Sequence, residues 1–222
     1  MNKNIEKIYD DIAINAFKKY EILRENIDGK METFRLAEIE IYLIDEDNGI
    51  NDIFIHKNEK QLQNEKEYEH YSGFDICLGD GEKIYCGILV RGIMNAEKTI
   101  YGPGRVKYRR TDNEKTSIKI EVKYNEDYKE KLNFSDMIID NTVSLENIIF
   151  KLPRVNLSNT TSGNYLSNDD LNNLDTYLNL KVRYLRIKDE KFYKKTKYLK
   201  FPPEEHREVF NALIQYKKRQ KK

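Results

Sequence analysis

Two carboxylates and a phenol recur at every second position of Glu38-Ile39-Glu40-Ile41-Tyr42. On an extended backbone successive side chains point to opposite faces, so Glu38, Glu40 and Tyr42 share one face. Ala37, Ile39, Ile41 and Leu43 share the other, which is fit for a core. A carboxylate held beside a water can take its proton and oppose a positive charge developing nearby. Read alone, the window favours an edge strand with its polar face in water. Downstream, Asp45-Glu46-Asp47-Asn48-Gly49 gathers acids of the kind calcium favours. The further alternation and closing glutamate of an EF-hand loop are missing, so the segment reads as a solvated turn. The only cysteines, Cys77 and Cys86, are too few for a disulfide framework or a zinc site, and read as small reduced hydrophobes on strands.

The formal net charge of +1 conceals an uneven distribution. Residues 181–222 balance at +10 and residues 1–180 at −9. A basic segment on an acidic body is an electrostatic footprint for a nucleic-acid backbone, or else a solvated tail such as Lys217-Lys218-Arg219-Gln220-Lys221-Lys222. No apolar run follows Met1-Asn2-Lys3-Asn4, and none approaches the roughly 18 residues a membrane span needs. The expectation is a cytoplasmic protein with no membrane partner.

The elements that must position these side chains follow from periodicity. Residues 4–20 place Ile5, Ile8, Tyr9, Ile12, Ala16 and Tyr20 at helical spacing, an amphipathic helix on the core. A turn at Asp28-Gly29-Lys30 leads into the strand Arg35–Ile44. Asp52–His56 forms the next element, and residues 57–67 read as a polar connector. Phe74–Leu78, a turn at Gly79-Asp80-Gly81, and Lys83–Arg91 give a hairpin. Gly102-Pro103-Gly104 turns sharply into Arg105–Arg110, and residues 116–124 alternate as one strand burying Ile118, Ile120, Val122 and Tyr124. Ser135–Ile139 and Ser144–Leu152 read as short helices or strands, Asn156–Asn179 as loop, and Leu180–Ile187 as a strand. Pro202-Pro203-Glu204-Glu205 opens a final helix whose packing face includes Val209, Phe210, Leu213 and Ile214. His206 in that helix reads as exposed and silent. No repeat or Pro/Gly-rich linker divides the chain, so one domain is the simplest organisation.

Four segments in order resemble the alkyladenine (3-methyladenine) DNA glycosylase family, as a divergent, bacterial-type member. Arg35-Leu36-Ala37-Glu38-Ile39-Glu40-Ile41-Tyr42-Leu43 is similar to that family's Arg-Ile-Val-Glu-Thr-Glu-Ala-Tyr-Leu strand. Ile88-Leu89-Val90-Arg91 resembles its Leu-Leu-Arg strand, and Ile100-Tyr101-Gly102-Pro103-Gly104-Arg105-Val106 its Gly-Pro-Ser-Lys-Leu turn. Pro153-Arg154-Val155 and Arg183-Tyr184 resemble its Arg-Val and Leu-Arg-Phe pair. The likeness covers roughly residues 8–190 with gaps. The family's Thr-Pro-Arg-Asn stretch has no counterpart, its wedging tyrosine has no clear match, and residues 107–132 read as strand where the family has a helix.

The resemblance implies roles. Glu40 corresponds to the glutamate that activates the attacking water, and Tyr42 to the tyrosine that stacks on a flipped base. Arg91 corresponds to the arginine that helps hold the water, and the backbone at Val155 to a further water contact. His56 matches the pocket histidine, and His70 the second stacking aromatic if Tyr68-Glu69-His70 is the counterpart. Tyr71 or Phe74 lies near the wedge position, and Arg105 and Lys107 follow the Gly-Pro turn as DNA contacts. His56 would otherwise be a satisfied strand-end histidine. Glu38 reads as a structural partner for a nearby cation. Arg91, on an apolar strand, needs a partner in any case, and Glu40 would serve structure and chemistry together.

Hydrolysis of a purine glycosidic bond passes through an oxocarbenium-like sugar, which a carboxylate can stabilise while taking a proton from water. Unstacking is cheapest for a damaged base, and an aromatic face adds about 0.5–2 kcal/mol of attraction for a cationic alkylpurine. No motif positions a lysine as a Schiff-base nucleophile, so strand cleavage is not expected. The implied protein is an α+β monomer with a curved, mostly antiparallel, partly barrel-like sheet and outer helices. Residues 1–200 would form the glycosylase-like domain, with residues 201–222 a basic helical extension of it. The implied activity is a monofunctional DNA glycosylase acting on alkylated or deaminated purines without metal or organic cofactor. The alternatives are a non-catalytic nucleic-acid or base-binding protein of the same fold, and an interaction protein docking through its basic C-terminal helix.

Overall fold

A computed structural model describes residues 3–110, 114–125, 133–134, 148–152, 154 and 182–186. An opening helix, α1 (Lys3–Lys19), leads directly into β1 (Tyr20–Glu25). The long strand β2 (Met31–Asp45) follows, then a short 3-10 turn (Glu46–Asn48) and β3 (Ile50–Asn51). Next come α2 (Glu59–Leu62), β4 (Asn64–His70), β5 (Gly73–Leu78) and β6 (Tyr85–Met94). The chain continues through β7 (Thr99–Tyr101), α3 (Pro103–Lys107), β8 (Tyr108–Arg110), β9 (Lys115–Ser117) and β10 (Ile120–Tyr124). The last described strands are β11 (Asn133–Phe134), β12 (Ile148–Leu152) and β13 (Arg183–Arg186). The fold is α+β, with a curled, half-barrel sheet. Every ladder is antiparallel except β11 with β12.

The strand β2 is the centre of this sheet, not its edge. Along one side it is bonded by β1, β13 and β3 in turn, and along the other by β6 from Arg35 to Ile44. The main path runs β11-β12-β13-β2-β6-β5-β4. One face of it is apolar. Ile39, Ile41 and Leu43 of β2 meet Cys86, Ile88 and Val90 of β6 and Phe74 and Ile76 of β5 there. The helix α1 covers this face with Tyr9, Ala13, Ala16 and Phe17, a stripe at helical spacing. Burying each Ile, Leu or Phe contributes about 1.5–3 kcal/mol, and this face accounts for most of the core.

The ladder between β2 and β6 is broken twice at one point. Leu36 pairs with Ile93, Glu38 with Gly92, and Ile39 with Val90. Ala37 on β2 and Arg91 on β6 are therefore each one residue extra, two bulges that offset one another so that register resumes. The core residues change parity at both: Phe34 and Leu36 precede Ala37 while Ile39 and Ile41 follow, and Val90 precedes Arg91 while Ile93 follows. Ala37 is thus the bulged residue and not the first member of the Ile39–Ile41–Leu43 stripe.

Other segments depart from their expected form. Asp52–His56 forms no regular strand, since Asp52 turns the chain by accepting from the Phe54 amide. Within the expected connector 57–67, Asn58 and Gln61 form a capping box that starts α2, and β4 begins at Asn64. Gly102 at φ 93 with Pro103 behind it starts the short helix α3 where a plain turn was expected. Residues 116–124 split into β9 and β10 because Ile118 turns inward between them and is buried, leaving Tyr124 exposed. Of Ser144–Leu152 the described part is the strand β12, and of Leu180–Ile187 it is β13 with Val182. Ser135–Ile139, Asn156–Asn179 and the C-terminal helix with His206 lie outside the described residues.

Candidate active site

Opposed residues in antiparallel strands put their side chains on the same face. The ladders therefore lay one row across five strands on the side away from α1: Arg183, Glu40, Leu89, Asp75 and Tyr68. Two of its acids are almost completely buried, Glu40 at 0% exposure and Asp75 at 2%. Buried carboxylates need partners, and each end of the row supplies them.

At the first end Tyr42 donates its hydroxyl hydrogen to Glu40 Oε1. Arg91 Nη1 stands 3.0 Å from Glu40 Oε2, and Arg91 Nε donates to Glu38 Oε1 at 3.0 Å. Arg183 Nε approaches the same Glu38 oxygen at 3.3 Å, so Glu38 is the structural partner its position suggested. Glu40 Oε2 faces Arg91 without hydrogen-bond alignment and accepts no hydrogen bond among the described residues. Burial pulls the Arg91 guanidinium down, but Glu40 and Glu38 outweigh it and hold the pKa above its ordinary value. Burial, and then the Glu40 charge, pushes the Tyr42 phenol well up, so it stays a donor. The local cause of this meeting is the bulge. It rotates Arg91 onto the polar face, while Gly102 N–H bonds its carbonyl at 2.7 Å. Opposite Glu38 sits Gly92, where an added Cβ would lie 2.8 Å from the Tyr101 ring and 3.1 Å from the Glu38 Cβ.

Two residues join this end without having been singled out. Arg154 lies 4.5 Å from the Tyr42 ring centroid, and its Nη1 donates to Asp52 Oδ1 at 2.9 Å. Its Nη2 also bonds Asp52 and the Ile41 carbonyl, and neither Arg154 nor Asp52 side chain is exposed. One face of Tyr42 is thus occupied by a guanidinium. The Arg-Val motif pointed at this segment, but Asp52 carried no signal, because the pairing spans 102 residues. Val155 lies outside the described residues.

At the other end the two histidines come together around Tyr68. The Tyr68 and His70 rings are 5.7 Å apart, His56 and His70 6.2 Å, and His56 and Tyr68 6.3 Å. His70 Nε2 is 3.1 Å from Asp75 Oδ1 and its Nδ1 is 2.8 Å from Ser72 Oγ, while Gln61 donates to the second Asp75 oxygen at 2.9 Å. Gly87 makes room for this: an added Cβ would stand 2.7 Å from Gln61 Nε2 and 2.9 Å from Asp75 Oδ2. It is Tyr68, not His70, that shares the row with Glu40.

The proposed DNA contacts divide. Tyr71 is 88% exposed at the β4–β5 turn, and Arg105 is exposed on α3. Phe74 is not a surface residue: it alternates with Asp75 on β5 and falls on the apolar face, 1% exposed. Lys107 is not free for phosphate either, since the end of α3 turns it inward to an ion pair with Glu69, leaving it 4% exposed. Among the described residues no group of three or more His, Cys, Asp or Glu is placed to hold a metal ion. No described helix is long and apolar enough to cross a membrane. Neither known protein-family models nor curated protein sequences match the chain.

Proposed function

We propose that the chain is a monofunctional DNA glycosylase, hydrolysing the N-glycosidic bond of an alkylated or deaminated purine flipped out of the helix. The observation that carries this reading is the arrangement of Glu40. One of its oxygens accepts from Tyr42, while the other lies against Arg91 with acceptor capacity unused. A water donating to Oε2 would be oriented by the guanidinium and deprotonated by the carboxylate as it attacks the anomeric carbon. The same negative charge opposes the oxocarbenium charge as the base leaves. Resemblance of the four segments to alkyladenine glycosylases supports the same assignment. The protein would act on damaged DNA as a cytoplasmic monomer, with Cys77 and Cys86 reduced as the buried free thiols they are.

The complete burial of Glu40 and the guanidinium over Tyr42 favour a second reading, a non-catalytic binder of nucleic acid or a free base. One experiment separates them: single-turnover release of base from methylated or hypoxanthine-containing DNA, beside a binding assay on the same preparation. Under the first reading Glu40→Gln lowers release by about 10²–10⁴ and leaves binding intact. Binding without release by the wild type supports the second. Equal release by both proteins removes Glu40 from the mechanism.

A further inference from the structure

Around α3 the fold collects cations that form no carboxylate ion pair among the described residues, although Glu32 stands opposite Arg24 across the β1–β2 ladder. Arg24, at the end of β1, donates from Nε to the Val106 carbonyl at 2.9 Å and from Nη2 to the Arg105 carbonyl at 3.3 Å. Arg109, on β8, donates to the Asn26 carbonyl at 2.7 Å, beside the turn that follows Arg24. Backbone carbonyls fix both guanidiniums in place but do not neutralise them, and each retains unused donors. The two stand close enough to interact: burial and then the Arg109 charge lower the Arg24 pKa, against a smaller opposing pull from Glu32. Glu32 itself is held by Lys98 at 2.6 Å and Asn26 at 3.0 Å. Arg105 adds an exposed guanidinium from the helix whose carbonyls hold Arg24.

The β8–β9 hairpin extends the charge. It pairs Arg109 with Thr116, and the next residue of β9 is Lys115. Lys115 Nζ lies 3.7 Å from the Tyr108 ring centroid and 4.2 Å from that of Tyr71, and donates to the Tyr71 carbonyl at 3.1 Å. This holds an exposed ammonium against the exposed Tyr71 ring. The four cations come from β1, α3, β8 and β9: Arg105 and Arg109 share the basic stretch Arg105–Arg110, and the fold brings Arg24 and Lys115 to it. Their spacing is anchored to the candidate site, because Gly102, which caps α3, bonds the Arg91 carbonyl.

We propose that Arg24, Arg105, Arg109 and Lys115 form the surface that grips the phosphodiester backbone of duplex DNA, with Tyr71 as the aromatic tip beside it. Guanidiniums match phosphate oxygens in pairs, and like charges fixed close together are relieved by a polyanion. The choice of DNA rests on the glycosylase reading; the anion-binding role rests on the side chains. Each phosphate neutralised releases counter-ion and contributes about 0.9 to the slope of log affinity against log salt.

The test is fluorescence anisotropy with a labelled, undamaged duplex across a salt series, with circular dichroism as the folding control. Replacing all four cations by Gln should reduce the salt slope by about 3 to 4 and weaken binding to every sequence alike. Arg105→Gln with Lys115→Gln, both exposed and outside the core, should reduce it by about 2 in a protein that folds as wild type. Lys57→Gln with Lys60→Gln, near α2, should leave it unchanged. An unchanged slope in the folded double variant overturns the proposal. So does a wild type that binds no duplex, or one that prefers RNA of the same sequence. A lost salt slope alongside absent base release would sink the glycosylase reading and leave this surface standing.

Discussion

The two faces of the central sheet are built from the same strands and hold opposite contents. Towards α1, Ile39, Ile41, Ile88, Val90 and Ile76 interlock, with Phe17 and Tyr9 above them. One residue along each strand, on the other face, stand Glu40, Leu89 and Asp75, with Tyr42 and Arg91 against Glu40 and His70 and Gln61 against Asp75. The apolar face needs only volume and shape, which many combinations of aliphatic side chains supply. The charged face is stable only while each acid keeps its partner, since a buried charge left alone costs far more than a lost methyl. Stability on the first side is therefore spread over many residues, and on the second concentrated in a few.

That contrast can be broken most directly at Arg91. Arg91→Ala leaves Glu40 buried without its facing cation and should destabilise the protein by about 3–5 kcal/mol in chemical denaturation. A variant as stable as the wild type would show that the carboxylates do not depend on their partner. Tyr42→Phe removes only the donor to Glu40 Oε1 and keeps the ring under Arg154. It should cost about 1–3 kcal/mol and also slow base release; an effect on neither would detach Tyr42 from Glu40. Its neighbour sharpens the comparison: Ile41→Val, on the apolar side, should cost about 0.5–1.5 kcal/mol with release unchanged. The last contrast concerns the thiols, one on each face. Burial, and then Asp75, pushes Cys77 from the ordinary value of 9.0 up to about 12, and burial raises Cys86 too. A thiol that holds its proton more tightly when folded contributes stability that is complete below pH 9.0 and is lost as pH rises towards about 12. Stability measured through that window should fall less steeply in Cys77→Ala than in the wild type; parallel curves would show the thiol does not titrate there.

How much of this was legible in the sequence follows from the range of each cause. The helix α1, the strand β2 and the β5–β6 hairpin were readable because periodicity and turn residues act over a few positions. The shared face of Glu40 and Tyr42 was readable for the same reason. Alternation along β5 already separated Phe74 from Asp75, so the burial of Phe74 lay within reach of the residues alone. The bulges did not, because a bulge is a relation between two strands and leaves no period of its own. Nor did Asp52 with Arg154, or Arg24 with α3, pairs joined only once the sheet has closed. The placement of Lys107 was lost to a local surprise, a helical turn where a sharp loop was expected.

The offsetting bulges have a consequence for how such a site could arise. Delete Ala37 and Arg91 together, and the pairings Leu36–Ile93 and Ile39–Val90 fall into one unbroken ladder. Phe34, Leu36, Ile39, Ile41, Val90 and Ile93 would keep the sides they now occupy. Of the two surplus residues only Ala37 is apolar, a small buried side chain outside the main core cluster. What they contribute is a cation between two acids, acquired by lengthening the backbone and not by exchanging one side chain for another. Insertions and deletions, more than substitutions, are the changes that could install or erase this chemistry while the interior stays the same.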